Sequence, residues 1–354
     1  MQDPASPSTP HKALRTTQAL LEADLITPEQ VPALEAVADR YATAIPPAFQ
    51  RLITRPDDPI GRQVIPDARE LQTMPHENED PIGDEALSPV PGIVHRYEDR
   101  ALLKPLLICP LYCRFCFRRE HVGPDGGLLG EEALEAAFHW IETHPQIREI
   151  ILTGGDPLML SPRRMKHIIQ RLSAIAHIEI IRIHSRVPVA APERLTTDLL
   201  DALETDRALW MVAHINHARE LTEEARLAVR QMLCRGIPVL SQSVLLRGVN
   251  DTTESLEALL RALIAARIKP YYLHHLDSAP GTAHFHVPVE EGRALLESLR
   301  GRVSGLIWPT YVVDIPGGKG KVPLGPDYLI HSSSDSASPP SQARGTDGQH
   351  YPFT

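Results

Sequence analysis

Residues 101–120 read ALLKPLLICPLYCRFCFRRE. The apolar run LLKPLLI (102–108) has the length and composition of a buried strand, and it leads directly into three cysteines, Cys109, Cys113 and Cys116. Downstream, β-rich runs recur at EIILTG (149–154), IEIIRIH (178–184), LWMVAHI (209–215), IPVLSQSVLL (237–246), KPYYLHHL (269–276) and IWPTYVVD (307–314). Helical patterns lie between them: EEALEAAFHWIETH (131–144), SPRRMKHIIQRLSAI (161–175), TEEARLAVRQMLCRG (222–236) and TESLEALLRALIAAR (253–267). This alternation predicts an α/β fold with a parallel sheet covered by crossover helices. Six or seven units without a clear eighth point to a partial (β/α)6-type barrel rather than a closed one. No G-x-G-x-x-G follows the first strand, so a dinucleotide-binding fold has little support.

In a parallel barrel, chemistry gathers at the C-terminal ends of the strands. Those ends carry Cys109–Cys116, then Gly154-Gly155-Asp156, His184-Ser185-Arg186, His214-Ile215-Asn216-His217, Gln242-Ser243, Asp277, and Asp314 running into Pro316–Lys321. One polar strand end is ordinary; a series facing one mouth predicts an active site. The spacing C-x3-C-x2-C is the most specific signal. Three thiolates can hold three irons of a 4Fe-4S cluster and leave the fourth iron open. The alternative is zinc, which needs a fourth ligand, and His121 is the nearest candidate. Tyr112, Phe115 and Phe117 interleave the cysteines and could exclude water. The fourth cysteine, Cys234, sits in a helical pattern and reads as a small buried apolar residue.

The flanks set the outer bounds. The chain has 354 residues, 42% of them hydrophobic, enough for a sizeable core. Lys and Arg number 36 against 45 Asp and Glu, a net charge of −9, so neither nucleic acid nor a membrane surface is an expected partner. No apolar run is long enough to span a bilayer, and MQDPASPSTPHK lacks the pattern of a secretory signal, so a cytoplasmic location is expected. Residues 1–95 read as an N-terminal helical region, with HKALRTTQALLEADL (11–25) and PEQVPALEAVADRYATA (28–44), and a Pro- and Asp-rich connection. Residues 96–330 read as the core. Residues 331–354 hold six serines and no Val, Ile or Leu, and read as a disordered tail.

The cysteine motif after the first strand and GGD after the second resemble the radical S-adenosylmethionine superfamily. More narrowly, the chain is similar to the lysine 2,3-aminomutases from about Leu52 to Tyr328. The resemblance is carried, in order, by DPIGRQVIP (58–66), EDPIGDEALSPVPGIVHRYEDRALL (79–103), YCRFCFRRE (112–120), LTGGDPL (152–158), IRIHSRVPV (181–189), QSVLLRGVND (242–251), YYLHHLDSAPGTAHF (271–285) and YVVDIPGGKGKVP (311–323).

The resemblance implies a set of roles. Cys109, Cys113 and Cys116 would bind the 4Fe-4S cluster. Gly154, Gly155 and Asp156 match the stretch that binds the methionine part of S-adenosylmethionine, and His214 and Gln242 match residues near its adenosine. Lys321 matches the lysine that forms the Schiff base with pyridoxal 5′-phosphate; Lys319, where the family usually has glycine, is a departure. Arg96, Tyr97 and Arg100 match contacts to that cofactor's phosphate and ring. Arg118 matches the arginine that clamps the substrate α-carboxylate, and Asp277 and Asp314 match the pair that receives the ε-ammonium of lysine. Relatives acting on glutamate do not keep that acidic pair. The implied activity is conversion of L-lysine to β-lysine by 2,3-amino migration, fed by an electron donor such as flavodoxin or ferredoxin, in a homo-oligomer. The Ser/Pro tail replaces the cysteine-rich zinc extension of the longer free-lysine enzymes. Two further departures, Phe117 and His274, look like the shorter homologues that make (R)-β-lysine for elongation factor P. A zinc-stabilised binding protein without catalysis and a radical enzyme without pyridoxal phosphate are the competing classes.

Overall fold

The computed structural model describes residues 12–330, 342–345 and 348–352. An antiparallel hairpin opens the sheet: β1 (Ile93–Tyr97) pairs with β2 (Arg100–Leu106). Six strands then follow: β3 (Glu149–Gly154), β4 (Ile180–Ser185), β5 (Ala208–His214), β6 (Val239–Val244), β7 (Lys269–His274) and β8 (Thr310–Asp314). They continue from β2 in parallel, each beside its predecessor. A short β9 (Lys321–Pro323) folds back antiparallel on β8 and ends the sheet. The order β1 to β9 is sequential, with β1 and β9 at opposite edges, so the sheet curves into an open half-barrel. The seven apolar runs read from the sequence are the seven parallel strands.

Side-chain alternation gives the sheet an apolar outer face and leaves its inner face to line a cavity. Ile150, Leu152, Ile181, Ile183, Met211 and Ala213 point outward and are fully buried under the crossover helices. Those helices present matching stripes, such as Leu134, Ala137, Phe138 and Ile141 on Glu131–Glu142. Local sequence sets their starts: Ser161, Thr222 and Thr252 each accept a backbone N–H from the first turn of the helix that follows.

The N-terminal residues form short helices, Thr17–Glu22 and Val31–Ala38 among them, where longer ones are expected from the sequence. Leu20, Leu34, Val37, Phe49 and Ile60 belong to the same continuous apolar cluster as the barrel. Among the described residues no helix is long and apolar enough to cross a membrane.

Two expectations need correction. Cys234 is exposed, not buried. The buried stripe of Glu223–Cys234 runs through Ala225, Ala228, Val229 and Met232, and a residue two positions past Met232 falls on the opposite face. The second concerns the tail. Residues 331–341, 346–347 and 353–354 lie outside the described residues, so the expectation of disorder there has no counterpart. Gln342–Arg344 and His350–Pro352, however, are strands that pair with each other, the former also with Leu329–Ile330. Backbone pairing and the ion pair of Arg344 with Glu297 hold this piece, which has no apolar core of its own.

Candidate active site

Residues 149, 151 and 153 of β3, 180, 182 and 184 of β4, and 240, 242 and 244 of β6 face inward, as a period of two requires. They line a cavity of about 740 Å³ that runs along the inner face of the sheet to the cysteine loop. Every residue given a role by the resemblance lies on its wall: Cys109, Cys113, Cys116, Gly154, Gly155, Asp156, His214 and Gln242 toward one part, with Arg96, Tyr97, Arg100, Arg118, Asp277, Asp314 and Lys321 completing it. Three other strand-end residues turn away. Asn216 donates to Gln63 at 3.0 Å, His217 accepts the Arg219 N–H at 3.2 Å, and the Ser243 hydroxyl donates to the Ile215 carbonyl. They brace loops.

The cysteine loop follows β2. Burial, together with the charges of Asp156, Cys116 and Cys113, pushes the Cys109 thiol well above its ordinary range. Burial and Cys113 raise Cys116 to about 11. Cys109 and Cys116, whose thiols are raised in part by neighbouring cysteines, belong to a donor set whose thiolates a polynuclear cation would stabilise. Among the described residues no three His, Cys, Asp or Glu side chains converge as ligands of a single ion. A cluster does not need them to, because each thiolate takes a different iron. His121, the candidate fourth ligand for zinc, faces Glu85 at 3.5 Å and is largely exposed. The donor set therefore fits a cluster better than zinc.

At the end of β3 the glycines serve close packing. A Cβ on Gly155 would lie 2.4 Å from the Ile108 carbonyl oxygen and 2.5 Å from its nitrogen, and Gly154 has φ +105°. Only glycine lets β3 press against the chain that delivers Cys109. Asp156 accepts four hydrogen bonds, from Ser185 at 2.7 Å, the Arg186 N–H at 2.7 Å, and the Val187 and Leu158 N–H groups at 3.1 Å. Its carboxylate thus ties β3 to the loop after β4.

The other side of the cavity is a chain of charges. Asp314 accepts from Arg96 at 2.9 Å and from the Lys321 ammonium. Arg96 also donates to the Ile82 carbonyl at 2.7 Å and lies 3.6 Å from Asp84. Asp84 accepts from Arg118 at 2.7 Å, and although burial raises its carboxyl, Arg118, Lys104 and Arg96 hold it below the usual carboxylate range. The Lys321 N–H donates to the Tyr97 hydroxyl at 2.9 Å, and the Arg100 guanidinium lies 3.8 Å from the centre of the Tyr97 ring. The β1–β2 hairpin is therefore joined to β9. Of the two loop lysines, Lys319 is exposed and Lys321 reaches the cavity.

Two half-buried histidines, His184 and His214, each have a buried Nε2 without a protein partner. Burial holds both rings neutral, assisted by Arg182 near His184 and by Arg186 near His214. His214 also stacks on Phe115 with ring centres 5.7 Å apart. A neutral imidazole edge with a free polar atom suits a purine or another polar ligand lying along β4 and β5. Sequence reading passed over Asp84 as a site residue and gave His184 a place among the polar strand ends without a role. Asp84 sits in an acidic, Pro-rich connection whose charges read as solvated, and His184 sits in a strand among apolar residues.

Comparison with known proteins gives a consistent picture. Residues 103–263 match the Radical SAM superfamily, and residues 296–338 match the family described as Lysine-2,3-aminomutase. The chain is 40% identical over 319 residues to the L-lysine 2,3-aminomutase of Acetoanaerobium sticklandii, covering 90% of this chain and 77% of that protein. It is 39% identical over 324 residues to the L-lysine 2,3-aminomutase of Clostridium subterminale, covering 91% and 78%. Similarity extends to the glutamate 2,3-aminomutase of Clostridioides difficile, at 33% over 312 residues, 88% of this chain and 74% of that one.

Proposed function

The chain belongs to the lysine 2,3-aminomutase family of radical S-adenosylmethionine proteins, and from that premise we propose that it is an isomerase that moves the 2-amino group of L-lysine to C3, giving β-lysine. The observation that carries lysine over glutamate is the pair Asp277 and Asp314 on the wall that also holds Lys321. Two carboxylates there would stabilise an ammonium and repel a side-chain carboxylate. Three groups fit the cavity: a 4Fe-4S cluster on Cys109, Cys113 and Cys116, S-adenosylmethionine beside it, and pyridoxal 5′-phosphate at Lys321. When bound, the cluster and S-adenosylmethionine supply reductive generation of a hydrogen-abstracting radical, and pyridoxal phosphate supplies the electrophilic carbon that lets nitrogen migrate.

The protein's own part is positioning. Gly154, Gly155, His214 and Gln242 would border S-adenosylmethionine, with the His214 Nε2 available to its polar edge. Lys321 would hold the pyridoxal aldehyde, with Arg96, Tyr97 and Arg100 around its phosphate and ring. Arg118, kept rigid by Asp84, presents a planar fork to the α-carboxylate. Asp314 would exchange its contact with Lys321 for the substrate's ε-ammonium. Apolar wall residues such as Val94, Leu102, Ile151 and Leu276 keep water from the reacting carbons. In this reading residues 96–330 are the catalytic core and residues 12–95 a brace upon it. The electron comes from a flavodoxin- or ferredoxin-type donor, the protein works in the cytoplasm, and it assembles as a homo-oligomer.

Anaerobic incubation with S-adenosylmethionine, a reductant and pyridoxal phosphate, with L-lysine or L-glutamate, tests the proposal by chiral analysis of the products. β-Lysine that requires all three additions, with no β-glutamate, is the expected result. β-Glutamate, or no β-amino acid from a preparation holding four irons per chain, would overturn it.

A further inference from the structure

Arg186, on the loop after β4, is 7% exposed and directs its guanidinium at the cysteine loop. One terminal nitrogen donates to the Cys113 sulfur at 2.7 Å. The other donates to Gln63 at 2.6 Å and to Glu220 at 3.2 Å. Its backbone N–H is fixed on Asp156. The rings of Phe49 and Phe115 lie near the guanidinium, at 5.0 and 5.6 Å from centroid to Cζ. The side chain thus has one geometry, set by groups from four separate parts of the chain. Glu220 is itself held, accepting from Gln63 at 3.1 Å and from the N–H groups of Asn216 and His217 at 3.1 and 3.0 Å.

We propose that Arg186 is a positioning residue that sets the reduction potential of the cluster by donating a charge-assisted hydrogen bond to the sulfur of Cys113. This rests on the assignment of Cys113 as a cluster ligand. The warrant is electrostatic. Reduction moves one electron from an external low-potential donor, of the iron–sulfur or reduced-flavin class, onto the cluster; the donor is oxidised by one and the cluster gains one negative charge. A fixed, largely buried cation on a ligand sulfur stabilises the reduced form more than the oxidised one. Glu220 offsets part of that charge, so the pair makes a graded rather than a full unit of positive field. No chemical step passes through Arg186, because a guanidinium keeps its proton throughout.

The test measures the cluster, not turnover. The reconstituted wild-type protein, Arg186→Gln and Arg186→Lys are compared by iron content, by spectroelectrochemical midpoint, and by pulsed EPR of the reduced cluster with 15N-arginine labelling. Arg186→Gln should take up its irons yet be roughly tenfold harder to reduce at a fixed donor potential, because the charge-assisted hydrogen bond to the ligand sulfur is lost. Arg186→Lys keeps the charge but cannot serve both the sulfur and Glu220, so its midpoint falls by less. The wild type should show a 15N coupling that both variants lack. An unchanged midpoint in either fully loaded variant would overturn the proposal. If Arg186→Gln fails to load, absence of the 15N coupling in the wild type would do the same. A wild-type protein that binds no iron would instead refute the cluster assignment beneath it.

Discussion

Asp277 faces the cavity from the end of β7, and its surroundings oppose its charge. Burial raises its carboxyl to about 7; Asp314 adds to the rise, while Lys321, Arg118 and Arg96 oppose it. The consequence for stability has a definite sign. Below the ordinary carboxylate range both folded and unfolded chains hold the proton. Between there and about pH 7 the unfolded chain loses it while the folded chain keeps it, so stability falls across that window and is flat above it. Asp277→Asn removes the group. In the cofactor-free protein it should stabilise at pH 8, by at most about 4 kcal/mol at roughly 1.4 kcal/mol per unit, and by little at pH 4. Urea unfolding at the two pH values measures this; an equal effect at both would show that the carboxyl is not raised. What was legible at this scale followed spacing. Cys109, Cys113 and Cys116 announce themselves within eight positions, whereas Asp84 and Arg186 acquire their meaning only from partners far away in the chain.

At the scale of elements, β2 to β8 were readable because each is a short apolar run between turn signals and capped helices. The edge strands were not. β1 holds His95 and Arg96, and β9 is three residues inside a glycine-rich loop; their order comes from pairing with β2 and β8, which local sequence does not encode. The end of β3 shows how an element on the cavity wall is also constrained by packing behind it. GGD reads as a ligand-binding turn, yet the Gly155 position is dictated by the backbone of Ile108 on the approach to Cys109. Gly155→Ala should therefore act as an overpacking change at backbone, destabilising by about 1–3 kcal/mol. Because the displaced chain bears the first cysteine, iron uptake on reconstitution should fall as well. Thermal unfolding and iron per chain report the two effects. Normal stability with lost S-adenosylmethionine binding would mean that the glycine serves the ligand alone.

Across the whole molecule, the N-terminal segment is the part whose role the sequence hid most. It reads as a separate helical region, but its apolar residues enter the barrel's core and its Glu70 reaches the cysteine loop. Glu70 is fully buried and accepts from both Arg114, at 2.9 Å, and Arg119. Burial alone would raise its carboxyl, but Arg114 and Arg119 hold it below the usual range. Arg119 also lies over the Tyr41 ring at 3.6 Å, and Arg114 donates to the Ala42 carbonyl at 2.8 Å. Two arginines flanking Cys116 are thus gripped by a segment more than forty residues upstream. Removing the carboxylate leaves two buried cations with one acceptor fewer, and breaking a buried pair typically costs about 3–5 kcal/mol. Glu70→Ala should lower the urea midpoint of the cofactor-free protein by that equivalent while leaving a single transition, because the segment and the barrel share one core. Glu70→Gln, which still offers an acceptor oxygen, should lose less. Two separated transitions in Glu70→Ala, with the barrel's own midpoint unmoved, would show that the segment folds apart from the cysteine loop and does not brace it.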